Sequence, residues 1–187
     1  FSGDSEGNDT LGLYAGAVRI FRCAKPIIAA IQGAAIGGGL GLALTADFRI
    51  AAPESRFSAN FARLGFHQGF GLSVTLPELV GQQVSREMFF TGRRVKGEEA
   101  HGLGLCDQLV PLEQLRVTAL TFAQEIAKSA PLAVESIRKT LRGDLADRVE
   151  AITLHEAAEQ ARLVQTEDWK EGVEASAQRR DPFFRRK

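Results

Sequence analysis

The stretch that decides the fold is IQGAAIGGGLGLALTADFRIAA, residues 31–52. Three consecutive glycines at 37–39 stand directly before an apolar run with the composition of a helix. Three glycines in a row lose much chain entropy on folding, so a turn or a close approach to the backbone must require them. The apolar runs IIAAI at 27–31 and FRIAA at 48–52 are typical of short buried strands. The stretch therefore predicts a strand, a turn, a helix that starts at the second or third glycine, and another strand.

A strand followed by a glycine turn and a helix N-terminus is a common anion-binding arrangement. The first N–H groups of a helix have no partner inside the helix and lie at the positive end of its dipole. They can bind a phosphate, or form an oxyanion hole that polarises a thioester or ester carbonyl. Alternatively, the glycines only allow the helix to pack closely on the strand. GAAIGGGLG at 33–41 lacks the Lys-Ser/Thr of a nucleotide phosphate loop and does not match the dinucleotide fingerprint, so the spacing leaves these alternatives open.

Length and composition limit the class of protein. The chain has 187 residues, which suits one domain with a sizeable core and a helical appendage. Its 23 basic and 23 acidic residues give zero formal net charge, which argues against non-specific nucleic-acid binding. Two distant cysteines, Cys23 and Cys106, indicate no disulfide framework or zinc site and favour a reducing, cytoplasmic compartment. No run of about 18 apolar residues predicts a membrane span, and no signal peptide is recognised.

The other elements are predicted from periodicity and from the positions of glycine and proline. We expect a polar loop at 1–10, a turn at 32–36 and a helix at 72–81 that kinks or splits at Pro77. Further helices are predicted at about 11–21, 83–91, 96–101, 112–128, 131–141, 149–165 and 168–179, and strands at 56–58 and 107–110. The strand-bearing part of the chain thus ends near residue 111.

Residues 25–52, KPIIAAIQGAAIGGGLGLALTADFRIAA, resemble the signature of the enoyl-CoA hydratase/isomerase, or crotonase, family. The resemblance continues through SRFSANFARLGF at 55–66, FFTGRRVKGEEAHGLGLCDQLVP at 89–111 and TEDWKEGVEASAQRRDPFF at 166–184. It covers nearly the whole chain in the order of the family. It implies an α/β crotonase-like fold, in which β-β-α turns form a superhelical core and a C-terminal helical region forms trimers, often paired into hexamers.

The resemblance divides the chain into two parts. Residues 1–111 are expected to be the C-terminal part of the crotonase-like core, and 112–187 the helical region for oligomerisation and for covering coenzyme A. The family's first oxyanion donor belongs to a GAD- or GAN-type motif. EGND at 6–9 lies too close to the following strand, so we expect this motif before Phe1, outside the chain. The chain is accordingly interpreted as lacking its natural N-terminus.

The resemblance also implies the ligand and part of its site. Substrates of the family are acyl-CoA thioesters of fatty acid metabolism, so coenzyme A enters as part of the substrate and no separate cofactor or metal is expected. Gly38 matches the second oxyanion donor, whose N–H holds the thioester oxygen as it becomes enolate-like. Gly37 and Gly39 are expected to line the substrate beside it. The expected assembly is a homotrimer or a dimer of trimers, without nucleic acid.

Two positions depart from the family pattern. Hydratases of the family use one glutamate after the glycines and a second in an F-x-x-P-E-x-x-x-G stretch, because water addition needs both a base and an acid. Here Gly41 and Phe61 occupy those positions, and neither side chain can transfer a proton. Both are therefore predicted to contact substrate rather than to catalyse.

Other side chains could replace the lost glutamates. His67, in GFHQGFG, has the type of side chain that suits acid/base chemistry near neutrality, but a loop histidine that only bonds the backbone is the simpler interpretation. Gln68 could position a water molecule or be exposed. Ser58 and Asn60 could bind substrate or only form a turn and a helix cap.

Aromatic and basic side chains suggest the rest of the site. Arg179 matches a family position whose cation approaches the phosphates of coenzyme A; a solvated basic face is the alternative. Several phenylalanines could line an apolar acyl pocket or belong to the core, namely Phe61, Phe66, Phe70, Phe89 and Phe90.

The function predicted from the sequence is that of an enoyl-CoA hydratase/isomerase family protein, which binds an acyl-CoA thioester and stabilises its enolate-type intermediate. The class would be lyase or isomerase. Other acyl-CoA reactions remain open, namely decarboxylation, thioester hydrolysis and C–C cleavage. A catalytically silent acyl-CoA-binding subunit is the further alternative.

Overall fold

The computed structural model describes residues 6–187, which form helices and short strands. The strands are β1 (Ile28–Ile31), β2 (Ala34–Ile36), β3 (Phe48–Ala51), β4 (Arg56–Ser58), β5 (Val95–Lys96) and β6 (Gln108–Leu109). The helices are α1 (Glu6–Phe21), α2 (Gly38–Ala43), α3 (Leu72–Thr91), α4 (Gly97–Gly102), α5 (Leu115–Ala127), α6 (Pro131–Arg142), α7 (Leu145–Leu163) and α8 (Glu167–Gln178). Two short 3-10 helices lie at Asn60–Leu64 and Leu112–Gln114.

The strands form two sheets that the chain visits in turn. The first sheet has the order β1-β3-β6 and is parallel, with Ile28 beside Phe48 and Ile50 beside Gln108. In the second sheet β2 pairs parallel with β4, and β5 joins β4 antiparallel. One strand for each sheet and then a helix is the repeating unit, first as β1-β2-α2 and then as β3-β4-α3. This is the β-β-α turn predicted for the core.

The main core lies where α2 and α3 pack on the two sheets. Its fully buried side chains include Leu40 of α2, Phe57 of β4, and Leu72, Leu76 and Met88 of α3. Burial of each such side chain stabilises the fold by about 1.5–3 kcal/mol. The glycine turn between β2 and α2 is thus held by a packed core.

The C-terminal helices pack around this core. α5 lies on β1 and β3, where the rings of Phe122 and Phe48 meet edge to face with centroids 4.8 Å apart. α7 packs along α1, with Val149 against Val18 and Phe21. The described elements after β6 are all helical, but the boundary near residue 111 stays a prediction.

A buried ion cluster attaches α6 to the start of β3. Asp47 accepts from Arg138 at 2.9 Å and from Arg142 at 2.9 Å, and it also accepts from the amide of Ile27 at 2.8 Å. Charges removed from water need such partners, because an unpaired buried ion is strongly destabilising.

Three local predictions were wrong, each for a physical reason. Residues 6–10, predicted as loop, belong to α1, which extends from the segment that packs on α7; residues 1–5 lie outside the described part. Residues 34–36, predicted as a turn, form β2, because they pair with β4 at a distance in sequence. The kink predicted at Pro77 is absent from the region 72–91. This region breaks instead at Gly81, between the helices predicted at 72–81 and 83–91, where φ 78° and ψ 164° form a conformation that glycine adopts readily.

Candidate functional site

The glycine turn joins β2 to α2 and gives each of its first two glycines a different role. Gly37 has φ 56° and ψ −120°, donates its N–H to the carbonyl of Ser58 at 2.9 Å, and accepts the first helical bond from Gly41 at 3.1 Å. A Cβ on Gly37 would lie 3.3 Å from Oδ1 of Asn60. Positive φ and this close contact require glycine here. Gly38 then begins the helix, as the sequence predicts.

The helix start is open at the next two positions. Gly38 and Gly39 are exposed, and a Cβ on either would meet no heavy atom within 4 Å in the described part of the chain. The N–H groups of the first helical turn have no partner inside the helix. The Gly38 amide thus lies at an exposed helix start and has no acceptor within its own helix.

Gly41 is closed by a residue distant in sequence. A Cβ at position 41 would lie 2.5 Å from Cβ and 2.6 Å from Cγ of Phe70, which is buried and has φ 65°. Real Cβ atoms are not found at such distances. Phe70 thus fills the space that a side chain at 41 would need, and this pairing could not be read from the sequence.

Phe61 forms an apolar wall beside the glycine turn. It is buried in the 3-10 helix Asn60–Leu64, and its Cζ lies 3.7 Å from the position of a Cβ on Gly37. Its ring meets the half-buried Phe66 edge to face, with centroids 5.5 Å apart. Of the other candidate pocket residues, Phe89 packs on the main core, whereas Phe90 is 77% exposed and fits neither interpretation.

His67 and Gln68 make contacts away from the glycines. Nδ1 of His67 lies 2.7 Å from the carbonyl of Gln68, and its ring is 5.8 Å from that of His155 on α7. If Nδ1 carries the proton, it donates to that carbonyl and Nε2 is left as the acceptor. The Gln68 side chain donates to Oγ of Ser73 at 3.1 Å. The backbone-bonded histidine of the simpler interpretation is thus seen.

A buried polar network, which sequence reasoning missed, holds the 67–73 segment against α7. The fully buried carboxylate of Glu156 accepts from the amide of Gly71 at 2.7 Å, and from the amide and hydroxyl of Ser73 at 3.0 and 2.6 Å. One turn later, Gln160 donates to the carbonyl of His67 at 2.9 Å and accepts from the hydroxyl of Tyr14 at 2.7 Å. Four-residue spacing puts both side chains on one face of α7.

Burial also raises the pKa values of two groups, Tyr14 and Cys106. Desolvation raises the pKa of Tyr14 to about 12, so its hydroxyl stays protonated and donates to Gln160 at neutral pH. Desolvation likewise raises the pKa of the Cys106 thiol to about 11, which keeps it a thiol. Neither group is therefore an ionised nucleophile at neutral pH.

A basic cleft of about 1080 Å³ begins beside the glycine turn. Ile36, Ser58 and Asn60, which surround Gly37, form one part of its wall. Its charged lining residues are Asp181 and six arginines, Arg56, Arg63, Arg93, Arg94, Arg179 and Arg180.

Half of these arginines are paired within the described residues. Arg93 bonds Glu87 and Glu99 at 2.7 Å, Arg180 bonds Glu171 at 2.5 Å, and Arg63 lies 3.4 Å from Asp181. No ion pair within residues 6–187 involves Arg56, Arg94 or Arg179. The structure therefore places Arg179, predicted from the sequence, among unpaired cations that the sequence did not single out.

No group of three or more His, Cys, Asp or Glu side chains among the described residues is arranged to hold a metal ion. None of the helices in that part combines the length and apolar character needed to cross a membrane.

Comparisons with known proteins give consistent results. The family model described as enoyl-CoA hydratase/isomerase matches residues 5–187. A carnitinyl-CoA dehydratase of Salmonella heidelberg is 35% identical over 178 residues, which cover 93% of this chain and 68% of that protein. The crystal structure of an enoyl-CoA hydratase/isomerase from Pseudoalteromonas atlantica T6c superposes with a TM-score of 0.84 at 30% identity, covering 90% of this chain and 68% of that one.

A second structure extends the likeness in fold. An enoyl-CoA hydratase from Mycobacterium avium subsp. paratuberculosis K-10 has a TM-score of 0.88 at 23% identity, over 96% of this chain and 74% of that one. These similarities and the strand order confirm the predicted α/β crotonase-like fold with its C-terminal helical region.

Proposed function

The chain belongs to the enoyl-CoA hydratase/isomerase family, as residues 25–52 predict, and from this premise we propose that it binds an acyl-CoA thioester with the carbonyl oxygen at the Gly38 amide. The observation that carries the proposal is the open helix start at Gly38, which adjoins an arginine-lined cleft. An N–H group directed at a developing enolate oxygen stabilises it, because the donor is already in place. Relatives whose names specify CoA compounds support the same ligand.

The acyl group is proposed to lie along the apolar side of this turn. Gly37 and Gly39 give it access to the amide, and Phe61 and Phe66 form the wall beside it. Gly41 shapes this side of the turn indirectly, because its lack of a side chain leaves the space that Phe70 occupies. Gln68, whose amide is held by Ser73, is assigned a position at the far end of the pocket.

The phosphates of coenzyme A are proposed to lie in the basic cleft. Arg179, with Arg56 and Arg94, offers guanidinium groups without carboxylate partners in the described chain, and arginine forks match phosphate oxygens. No cofactor beyond this CoA moiety is assigned.

The reaction we propose is enolate-type chemistry without the two-carboxylate hydration step. Positions 41 and 61 hold no acid or base, and Phe70 blocks a side chain at 41. His67 is retained as the group that moves a proton, through Nε2, in isomerisation or in another acyl-CoA reaction such as decarboxylation, thioester hydrolysis or C–C cleavage. A catalytically silent CoA-binding subunit is the second candidate, favoured by the backbone bond that already holds Nδ1 of His67.

Calorimetric titration with acetyl-CoA, beside an absorbance assay of crotonyl-CoA hydration, tests the proposal. We expect both thioesters to bind and crotonyl-CoA to remain unhydrated. Arg179→Ala should weaken acetyl-CoA binding about tenfold, as expected for one charge-assisted phosphate contact. It should leave binding of acetyl-pantetheine, which lacks the nucleotide phosphates, unchanged.

Arg19→Ala on α1 is the control, since it removes an exposed arginine elsewhere. Equal losses in both variants would exclude a specific phosphate contact at Arg179. Absence of acetyl-CoA binding would refute the proposed ligand, and hydration of crotonyl-CoA would refute the carboxylate-free reaction. Turnover of another acyl-CoA that is lost in His67→Ala would favour an enzyme over the silent subunit.

A homotrimer or dimer of trimers is proposed in addition. It is supported by apolar side chains on the C-terminal helices that are more than half exposed, namely Val117 and Leu120 of α5, Leu132, Ile137 and Leu141 of α6, and Leu154 of α7. Such a surface is typical of a protein interface. Sedimentation equilibrium should give three or six times the chain mass, and Leu132→Asp should lower that number; a monomer at all concentrations would contradict it. The two free cysteines support the predicted cytoplasmic location, which cell fractionation would test.

A further inference from the structure

A second cavity, away from the glycine turn, lies between α3, α6 and the start of β3. Its volume is about 480 Å³, and its wall is mostly apolar, with Phe48, Leu79, Ile126, Val134 and Leu145 among the lining residues. None of the glycines at 37–39 lines it. Its size and lining are those of a small-molecule site.

The charged residues in the wall leave an excess of positive charge. Arg49, Arg138 and Arg142 line the cavity together with Asp47 and Glu78. Asp47 pairs with both Arg138 and Arg142, each at 2.9 Å. One carboxylate and two guanidinium groups leave this cluster with a net charge of +1. Outside the cluster, Arg49 pairs with Asp107 at 3.2 Å, and Glu78 pairs with the neighbouring Arg148.

Two guanidinium nitrogens in this cluster lack acceptors. Nη2 of Arg138 and Nη1 of Arg142 are buried and have no hydrogen-bond partner among the described residues. Arg138 is only 8% exposed, and its Nη1 donates to the carbonyl of Cys23. Arg142 donates to Thr45 and lies over the ring of Phe21 at 5.8 Å. A buried donor without an acceptor is unfavourable, so an anion in the cavity that these residues line would gain both a charge partner and hydrogen bonds.

We propose that this cavity binds a monocarboxylate with a medium-length apolar tail, such as a free fatty acid. The carboxylate accepts from Arg138 and Arg142, and the tail lies along Phe48, Leu79 and Val134. A phosphate or a short acid would satisfy the guanidinium groups but leave the apolar wall uncovered. A neutral alcohol would cover the wall but leave the charge unpaired. This cavity would bind the acid whether or not Gly38 binds an acyl-CoA.

Calorimetric titration of the whole chain with decanoate is the test, with acetate and decanol as partial ligands. We expect decanoate to bind one site per chain and at least tenfold more tightly than either. Arg138→Met should weaken decanoate about tenfold, because it removes the excess charge and one donor. Lys139→Met, the neighbouring exposed cation on α6, should leave decanoate binding unchanged.

A second variant keeps the test valid if Arg138→Met does not fold. Val134→Phe adds volume to the half-buried cavity wall without altering charge, and should abolish decanoate binding while the circular dichroism spectrum stays that of the wild type. Equal affinity for decanol and decanoate, an equal loss in Lys139→Met, or binding unaffected by Val134→Phe would each overturn the proposal. So would the absence of decanoate binding to the wild type, including the case in which a second copy of the chain covers the cavity.

Discussion

Gly41→Ala is expected to lower the free energy of unfolding by about 3 kcal/mol, although alanine is intrinsically the better helix former. The reason is space: the new Cβ would lie 2.5 Å from Cβ and 2.6 Å from Cγ of Phe70. Phe70 is buried against Tyr14 and Ala17 and cannot move aside without disturbing that cluster. Urea denaturation of both proteins, compared by midpoint and slope, measures the loss.

Gly38→Ala is the matched control, because it makes the same change in the same short helix. A Cβ at 38 meets no heavy atom within 4 Å in residues 6–187. We therefore expect a stability within about 0.5 kcal/mol of the wild type. Comparable losses at both positions would mean that loss of glycine, and not collision with Phe70, determines the cost.

Phe70→Gly is the partner substitution that should relieve the collision. Phe70→Ala would not, because the Cβ of Phe70 is itself the nearest atom. Glycine also suits the φ of 65° at this position. Phe70→Gly alone should cost about 3 kcal/mol through loss of a buried ring. The double variant G41A/F70G should cost about 2 kcal/mol less than the sum of the single variants, whereas additive costs would show that the residues are not coupled.

The same pairing bears on the missing glutamate. Gly41→Glu alone would place a longer side chain against Phe70 and bury a carboxylate without a partner. The departure from the family pattern at position 41 therefore involves position 70 as well, because Phe70 fills the space that a side chain at 41 would need. Phe61, at the position predicted for the other glutamate, is buried and meets the ring of Phe66 edge to face. The packing at position 41 thus supports the proposed reaction without the two-carboxylate hydration step.

The elements around the site could be predicted because their signals are local. The apolar runs of β1 and β3 and the three glycines between them identify a strand, a turn and a helix within 25 residues or so, on the scale of one supersecondary unit. The positive φ of Gly37 is of the kind that a glycine in a turn predicts. The resemblance to the family added the prediction that Gly38 is an oxyanion donor, which no periodicity could assign.

The elements and contacts that the sequence did not predict depend on residue pairs that are distant in sequence. β2 exists because it pairs with β4, and AAI at 34–36 carries no strand signal of its own. Nothing local distinguishes Glu156, which is fully buried, from Glu159, which pairs with Arg162 at the surface. Only the fold reveals which carboxylate has amide donors around it.

Glu156→Ala is accordingly expected to lower the free energy of unfolding by about 4 kcal/mol, since it leaves the amides of Gly71 and Ser73 and one hydroxyl without their acceptor. Glu156→Gln should cost about 3 kcal/mol despite its equal size, because an amide replaces one acceptor by a donor that faces donors. Glu159→Ala, on the same helix, should leave the free energy of unfolding close to that of the wild type, as expected for a surface ion pair.

Hydrogen exchange separates this role of Glu156 from a loss of general packing. The Gly71 and Ser73 amides lie at the start of α3, so their exchange should accelerate in Glu156→Gln well before that of the core amides of Leu76 and Met88. Uniform acceleration along α3 would instead indicate global destabilisation. Wild-type stability of Glu156→Gln would mean that the carboxylate is not what holds the 67–73 segment. Because that segment carries Phe70 into the space above Gly41, the local result would also show that α7 fixes the shape of the site from a distance.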